Sequence, residues 1–136
     1  MMLEETIRIL SMQEEILQFP HFTNKDAWEL GSYMVSEAAH NGLPVVISIR
    51  LNNGYTLFQY GFKGTNYCNE IWMKRKHNTV RTMEMSSLRL YMDLKMNQEE
   101  LKDRGLNDEE YVACGGGFPI RVAGAGGIGR IIVSGL

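Results

Sequence analysis

Two short stretches hold the residues best suited to chemistry in this 136-residue chain: Trp72-Met73-Lys74-Arg75-Lys76-His77 and Gly115-Gly116-Gly117-Phe118-Pro119. Stepped at about 100° per residue, Cys68, Trp72, Thr79, Met83, Leu90 and Leu94 fall on one helical stripe, with Lys76 inside it and Arg75 at its edge. A lysine on a buried face pairs with a carboxylate, extends its amine to water, or meets a ligand. Three successive glycines let backbone N–H groups converge on an anion, or simply allow a turn that no side chain would fit. If the two stretches meet in space, Arg75 and Lys76 supply charge and Gly115, Gly116 and Gly117 supply backbone donors for a carboxylate or phosphate. The candidate ligand-binding residues are therefore Trp72, Arg75, Lys76, Gly115, Gly116 and Gly117. The Lys76 amine is expected to point at the glycine backbone and to line one concavity with Arg75.

Other constellations carry less. Gly124-Ala125-Gly126-Gly127-Ile128-Gly129 spells the dinucleotide fingerprint, but that motif works only where a helix follows to hold the pyrophosphate. Ile131, Ile132 and Val133 follow instead, so these glycines read as a tight, bulged hairpin. His21 precedes a helix, His40 sits at a helix end and His77 lies in a basic run, and none completes a nucleophile–base arrangement. Glu99-Glu100 and Glu109-Glu110 look solvated. Cys68 and Cys114 show no metal-ligand spacing and read as two isolated buried thiols. No metal site is expected.

The elements that must position these residues follow from periodicity and punctuation. Met1 to Gln18 reads as an amphipathic helix, with Leu3, Ile7, Leu10, Glu14 and Leu17 on one side, ended by Pro20. Thr23 with Asp26 three residues on opens a second helix, which Asn41-Gly42 and Pro44 close. Val45 to Leu51 alternates as a strand, with Val45, Ile47, Ile49 and Leu51 on one face and Val46, Ser48 and Arg50 on the other. Asn53-Gly54 suits a two-residue type I′ turn into a second strand, Tyr55 to Phe62. Asn66 caps a long helix to about Lys95, with a break placed near Asn78. Asn97 caps a short helix closed by Gly105. Val112 begins a strand-like stretch, and Ile120 to Ala123 pairs with Ile128 to Ser134. Hairpins force antiparallel neighbours, so the fold class is α/β (α+β), built on an antiparallel sheet and not a doubly wound parallel one.

Composition sets the outer bounds. Hydrophobic residues make up 44% and charged residues 22% of the chain, with 14 basic against 16 acidic side chains. That is ordinary globular composition in one domain, without the basic excess that accompanies nucleic-acid binding. Glu4, Glu5, Glu14 and Glu15 interrupt any signal-like stretch, and no run approaches the ~18 apolar residues of a membrane span. The expectation is a cytoplasmic protein with no nucleic-acid or membrane partner.

Trp72-x-x-Arg75-Lys76-x-x-x-Val80, Ser86-Ser87, Gly115-Gly116-Gly117-Phe118-Pro119-Ile120 and Gly129-Arg130-Ile131-Ile132-Val133-Ser134-Gly135 together resemble the HbpS/GlcG-like "haem-degrading domain" family, and specifically its branch of small stand-alone proteins. The resemblance runs from about Glu14 to Leu136. It implies a profilin-like fold, a five-stranded antiparallel sheet with helices on both faces, forming a single domain over residues 1–136. It also implies assembly into homo-oligomers and one more helix beyond Ser134-Gly135, which this chain lacks. Some relatives bind or degrade haem, yet no haem ligand carries over residue by residue onto His21, His40 or His77. The leading reading is thus an oligomeric, non-catalytic or weakly catalytic binding module for a small anionic ligand, haem among the candidates. The alternatives are an enzyme acting on haem or another tetrapyrrole, and an interaction scaffold.

Overall fold

The computed structural model describes residues 2–135. Four helices, α1 (Met2–Ile16), α2 (Asn24–His40), α3 (Tyr67–Met83) and α4 (Ser87–Asn97), accompany five strands: β1 (Gln18–Phe19), β2 (Val46–Leu51), β3 (Thr56–Gly61), β4 (Gly117–Val122) and β5 (Gly126–Ser134). The strands form one sheet in the order β1-β4-β5-β2-β3. Three of the four pairings are antiparallel, and β1 runs parallel to β4 through Gln18↔Arg121 and Phe19↔Val122. The sheet is therefore mixed rather than wholly antiparallel. The chain leaving α1 is drawn to the edge by Phe19, which packs on the Ala27, Ile49 and Ile120 cluster. Pro20, with no N–H to donate, ends the added strand after two residues.

Period-two alternation gives the sheet two unlike faces. Ile47 and Ile49 of β2, Ile120 of β4 and Val133 of β5 pack on Ala27 and Ala38 of α2. The opposite face, under α3, carries Val46 and Ile132 against Met73, but also buried Ser48, Arg50, Arg130 and Ser134. α4 extends this second layer, and α1 packs along α4.

Caps and turns explain most boundaries. The Thr23 side chain accepts from Asp26 N while Asp26 accepts from Thr23 N, the reciprocal pair that starts α2. The β2–β3 hairpin forms, though not with the two-residue turn expected. Asn53 stays at negative φ and only Gly54 is left-handed at 93°. Leu51 N donates to the Tyr55 carbonyl and Gly54 N to that of Leu51, giving a three-residue loop with a bulge.

The long helix breaks at Glu84, not near Asn78. Asn78 turns its carboxamide outward to donate to the Glu110 carbonyl at 2.9 Å, leaving its own helix intact. Glu84 adopts φ 54°, its carbonyl accepts from Arg121 at 2.7 Å, and Ser86 caps the new helix through Arg89 N. Asn97 is the last residue of α4 rather than a cap; Gln98 closes that helix at φ 55°, and a 3-10 turn over Leu101–Arg104 follows. Val112 lies outside any strand, its N–H and carbonyl both bonded to the Thr79 hydroxyl. Gly126, Gly127 and Gly129 lie within β5, and no helix follows them among the described residues. None of the helices is long and apolar enough to cross a membrane.

Candidate functional site

The layer between α3 and the sheet holds an unusual density of buried cations. The residues of α3 that turn inward are Met73, Lys76, His77, Thr79 and Val80. Cys68 is exposed and Trp72 is 43% exposed, so the buried face is rotated from the stripe that spacing alone suggests. The break at Glu84 causes the shift: Leu90 and Leu94 belong to another helix and do not extend the line of α3. Arg50 donates from Nη2 to Glu70 at 2.8 Å and to Gln59 at 3.1 Å, and from Nε to Ser48 at 2.9 Å. Arg130 donates from Nη1 to the His77 ring at 3.0 Å and from Nη2 to the Asn52 carboxamide oxygen. Burial, helped by the charges of Arg130, Arg50 and Arg81, pushes His77 down to about 4, so its ring is neutral and accepts from Arg130. Burial and the Arg81 charge push Arg130 down to about 10, which leaves it cationic at neutral pH.

Lys76 sits toward the other end of this layer, 7% exposed. Its Nζ donates to the Val133 carbonyl at 2.8 Å. Gly116 lies directly beside the amine: a Cβ there would stand 2.6 Å from Nζ and 2.4 Å from the Val133 oxygen, and its φ of 121° disfavours any side chain. Burial lowers the Lys76 pKa, partly offset by the Cys114 thiol, and no Asp or Glu carboxylate acts on it. Lys76 also lines an open cleft of about 550 Å³ together with Asn69, Trp72, Val112, Cys114, Ser134 and Gly135.

The candidate residues are thus only partly brought together. Trp72 and Lys76 line one cleft and Gly116 backs it. Arg75 is not among the lining residues; its guanidinium stands 4.5 Å over the Trp72 ring and its Nε donates to the Tyr111 carbonyl at 3.3 Å. Gly117 N–H donates to Ser87 Oγ at 2.9 Å and the Gly116 carbonyl accepts from Val133 N at 2.7 Å. Gly115 lies beside Leu88. Gly116 and Gly117 serve close packing of backbone on side chain, and the Gly116 carbonyl and Gly117 N–H bond within the protein.

A family model described as "Haem degrading protein HbpS-like" matches residues 22–136 of this chain. The chain belongs to the HbpS-like family. A UPF0303 protein of Serratia proteamaculans (strain 568) is 40% identical over 136 residues, covering 99% of this chain and 84% of that protein. Among solved structures, the Ybr137w protein superposes with a TM-score of 0.88 at 26% identity, over 96% of this chain and 77% of its own. The PduOC:haem complex superposes with a TM-score of 0.68 at 19% identity, over 85% and 83%, which speaks for the fold.

A histidine-ligated haem finds no donor in the Lys76 cleft of this HbpS-like chain. His21 is exposed and bonded to Asp26 at 3.0 Å, and His40 is exposed at the end of α2. His77 is buried and accepts its hydrogen bond from Arg130. The cleft offers an amine, a thiol, a hydroxyl and a carboxamide beside an indole. Among the described residues, no group of three or more His, Cys, Asp or Glu side chains could hold a metal ion. Arg50, His77 and Arg130 are the buried polar residues that sequence reasoning missed. The strand alternation already set Arg50 apart from Ile47 and Ile49, but a charged run such as Lys74 to His77 ordinarily reads as a solvated face.

Proposed function

We propose that this protein is a binding module for a small anionic organic ligand, with the carboxylate or phosphate of that ligand held by Lys76 and an apolar or aromatic body resting against Trp72. The observation that carries this reading is a buried lysine whose only hydrogen bond among the described residues is to a neutral carbonyl and which no carboxylate side chain offsets. A buried cation without a counter-charge is costly, and an arriving anion would relieve that cost. Haem belongs among the probes because of the family's description, with its propionates as the anionic groups.

Titrations with haem followed by visible absorbance, and with benzoate followed by calorimetry, test this reading. Wild-type protein is expected to bind at least one organic probe, and Lys76→Met to keep its circular dichroism while losing at least tenfold in affinity, about 1.4 kcal/mol. Unchanged affinity of Lys76→Met for every probe that wild type binds would retire the site. Loss of the haem spectrum on incubation with a reductant would favour the haem-degrading reading of the family name instead.

Self-association belongs to the same proposal. Ile9, Met12, Ile16 and Leu17 around the end of α1, and Trp28 and Tyr33 on α2, are exposed large apolar side chains. Clusters of this kind mark contact surfaces. Light scattering at micromolar concentration is expected to report a mass of several chains; a species of 15.5 kDa would remove the assembly argument.

A further inference from the structure

A second cleft lies where the β4–β5 hairpin meets the last turn of α3, lined by Arg81, Arg121, Arg130, Asn52, Pro119 and Glu84 together with hairpin glycines, about 360 Å³ in volume. Three guanidinium groups border this one space. Arg121 already has an anion, since its Nη2 lies 3.6 Å from buried Glu14, and it also donates to the carbonyls of Glu14 and Glu84. Arg130 has none. It is 2% exposed, and its donors reach a neutral imidazole, a carboxamide and the Leu51 carbonyl, while its Nε is buried with no partner at all. Arg81 is exposed at the mouth and close enough to Arg130 for their charges to repel.

Such an arrangement is costly without a counter-charge. A buried guanidinium without a carboxylate forgoes the charge-assisted bonds that normally offset its desolvation, and an unmet Nε–H adds to that cost. Arginine's planar fork matches the oxygens of a tetrahedral dianion, and two or three forks converging on one point is the usual means of holding a phosphate. Glu84 is the one carboxylate lining the cleft. Its side chain is exposed and makes no ion pair among the described residues, so it can turn to solvent when an anion enters.

We infer that this cleft is a phosphate-binding site, distinct from the Lys76 cleft, for a small phosphate or phosphate monoester. Arg81 closes on the anion from the mouth and Arg130 receives it from the floor. The neutral His77 ring behind Arg130 holds the guanidinium in place without adding a competing positive charge.

Calorimetric titration with inorganic phosphate and with phenyl phosphate, in a low-chloride buffer, tests the assignment. Wild type is expected to bind at least one, and Arg81→Glu to weaken that binding at least tenfold while melting within a few degrees of wild type, because Arg81 is exposed. Arg81→Ala is expected to fall between the two. Lys76→Met should keep the wild-type affinity for inorganic phosphate, which has no aromatic body to rest on Trp72, and this separates the site from the one proposed above. The inference is overturned if wild type binds neither probe at millimolar concentration, if Arg81→Glu binds inorganic phosphate as wild type does, or if Lys76→Met and not Arg81→Glu abolishes binding of inorganic phosphate. Measured in Lys76→Met, a preference for phenyl phosphate over inorganic phosphate would identify a monoester as the ligand class of this site; equal affinities would identify the free ion.

Discussion

Replacing Glu14 with alanine is expected to lower the stability of the fold by about 3–5 kcal/mol, read as a shift in the urea midpoint at unchanged slope. Glu14 is 1% exposed, the only buried residue of α1. Its Oε1 lies 3.2 Å from Arg89 and 3.6 Å from Arg121, and its Oε2 accepts from Ser86 N at 3.1 Å. One carboxylate therefore joins α1, the start of α4 and the β4 strand. Removing it leaves two partly enclosed guanidinium groups without their anion, and Arg89 Nε is already buried and unpartnered. It also strands the first N–H of the segment that caps α4. Glu14→Gln keeps the shape and one hydrogen bond and should fall between. Glu15→Ala, one residue away and exposed, should change stability by less than about 0.5 kcal/mol. A Glu14→Ala loss below about 1 kcal/mol would show that the carboxylate does not tie these elements together.

The second large effect is expected at Gly129, where alanine should cost about 3 kcal/mol. Gly129 pairs with Leu51 across the β2–β5 ladder, and an added Cβ would stand 2.3 Å from the Arg50 carbonyl oxygen and 3.1 Å from Leu51 Cα. Both obstacles are backbone, held by neighbouring strands, so no side chain can swing aside. The ladder must part locally, and Arg50 and Arg130 on either side would lose their bonding geometry. Gly127→Ala supplies the contrast: its Cβ would meet nothing within 4 Å, and the melting temperature should hardly move. Equal melting temperatures for the two variants would mean that β2 and β5 do not approach as closely as described.

What the sequence made legible is what local chemistry dictates. Thr23 with Asp26 announced the start of α2, Asn53-Gly54 announced a hairpin, and the strand-forming residues after Gly129 ruled out a nucleotide fingerprint. Lys76 was legible because it falls inward in either phase of the helix. The failures share a cause, which is dependence on distant partners. Nothing near Gln18 indicates that it will pair with Arg121, about a hundred residues on. Glu84 is neither glycine nor asparagine, so its left-handed conformation carries no local signal; Arg121 and the Ser86 cap fix it. Once that break was misplaced, the inferred face of α3 slipped toward Cys68 and Trp72, and His77 was left in a run that looked solvated. Arg130 stands among isoleucines without strict alternation, so its burial becomes visible only when Asn52 and His77 are seen around it.

The unlike faces of the sheet also act as an alignment code. Sliding β5 by one residue along β2 would turn every side chain over. Arg130 and Ser134 would then enter the hydrocarbon packed around Ala27 and Ile49, while Ile131 and Val133 would face His77 and the arginine layer. A sheet greasy on both sides would tolerate such a slip at modest cost, trading one aliphatic contact for another. Here each misaligned step strands a guanidinium in oil, so the mispaired arrangements lie far above the native one in energy. The same cations that make the α3 layer costly thereby leave the strands one acceptable alignment.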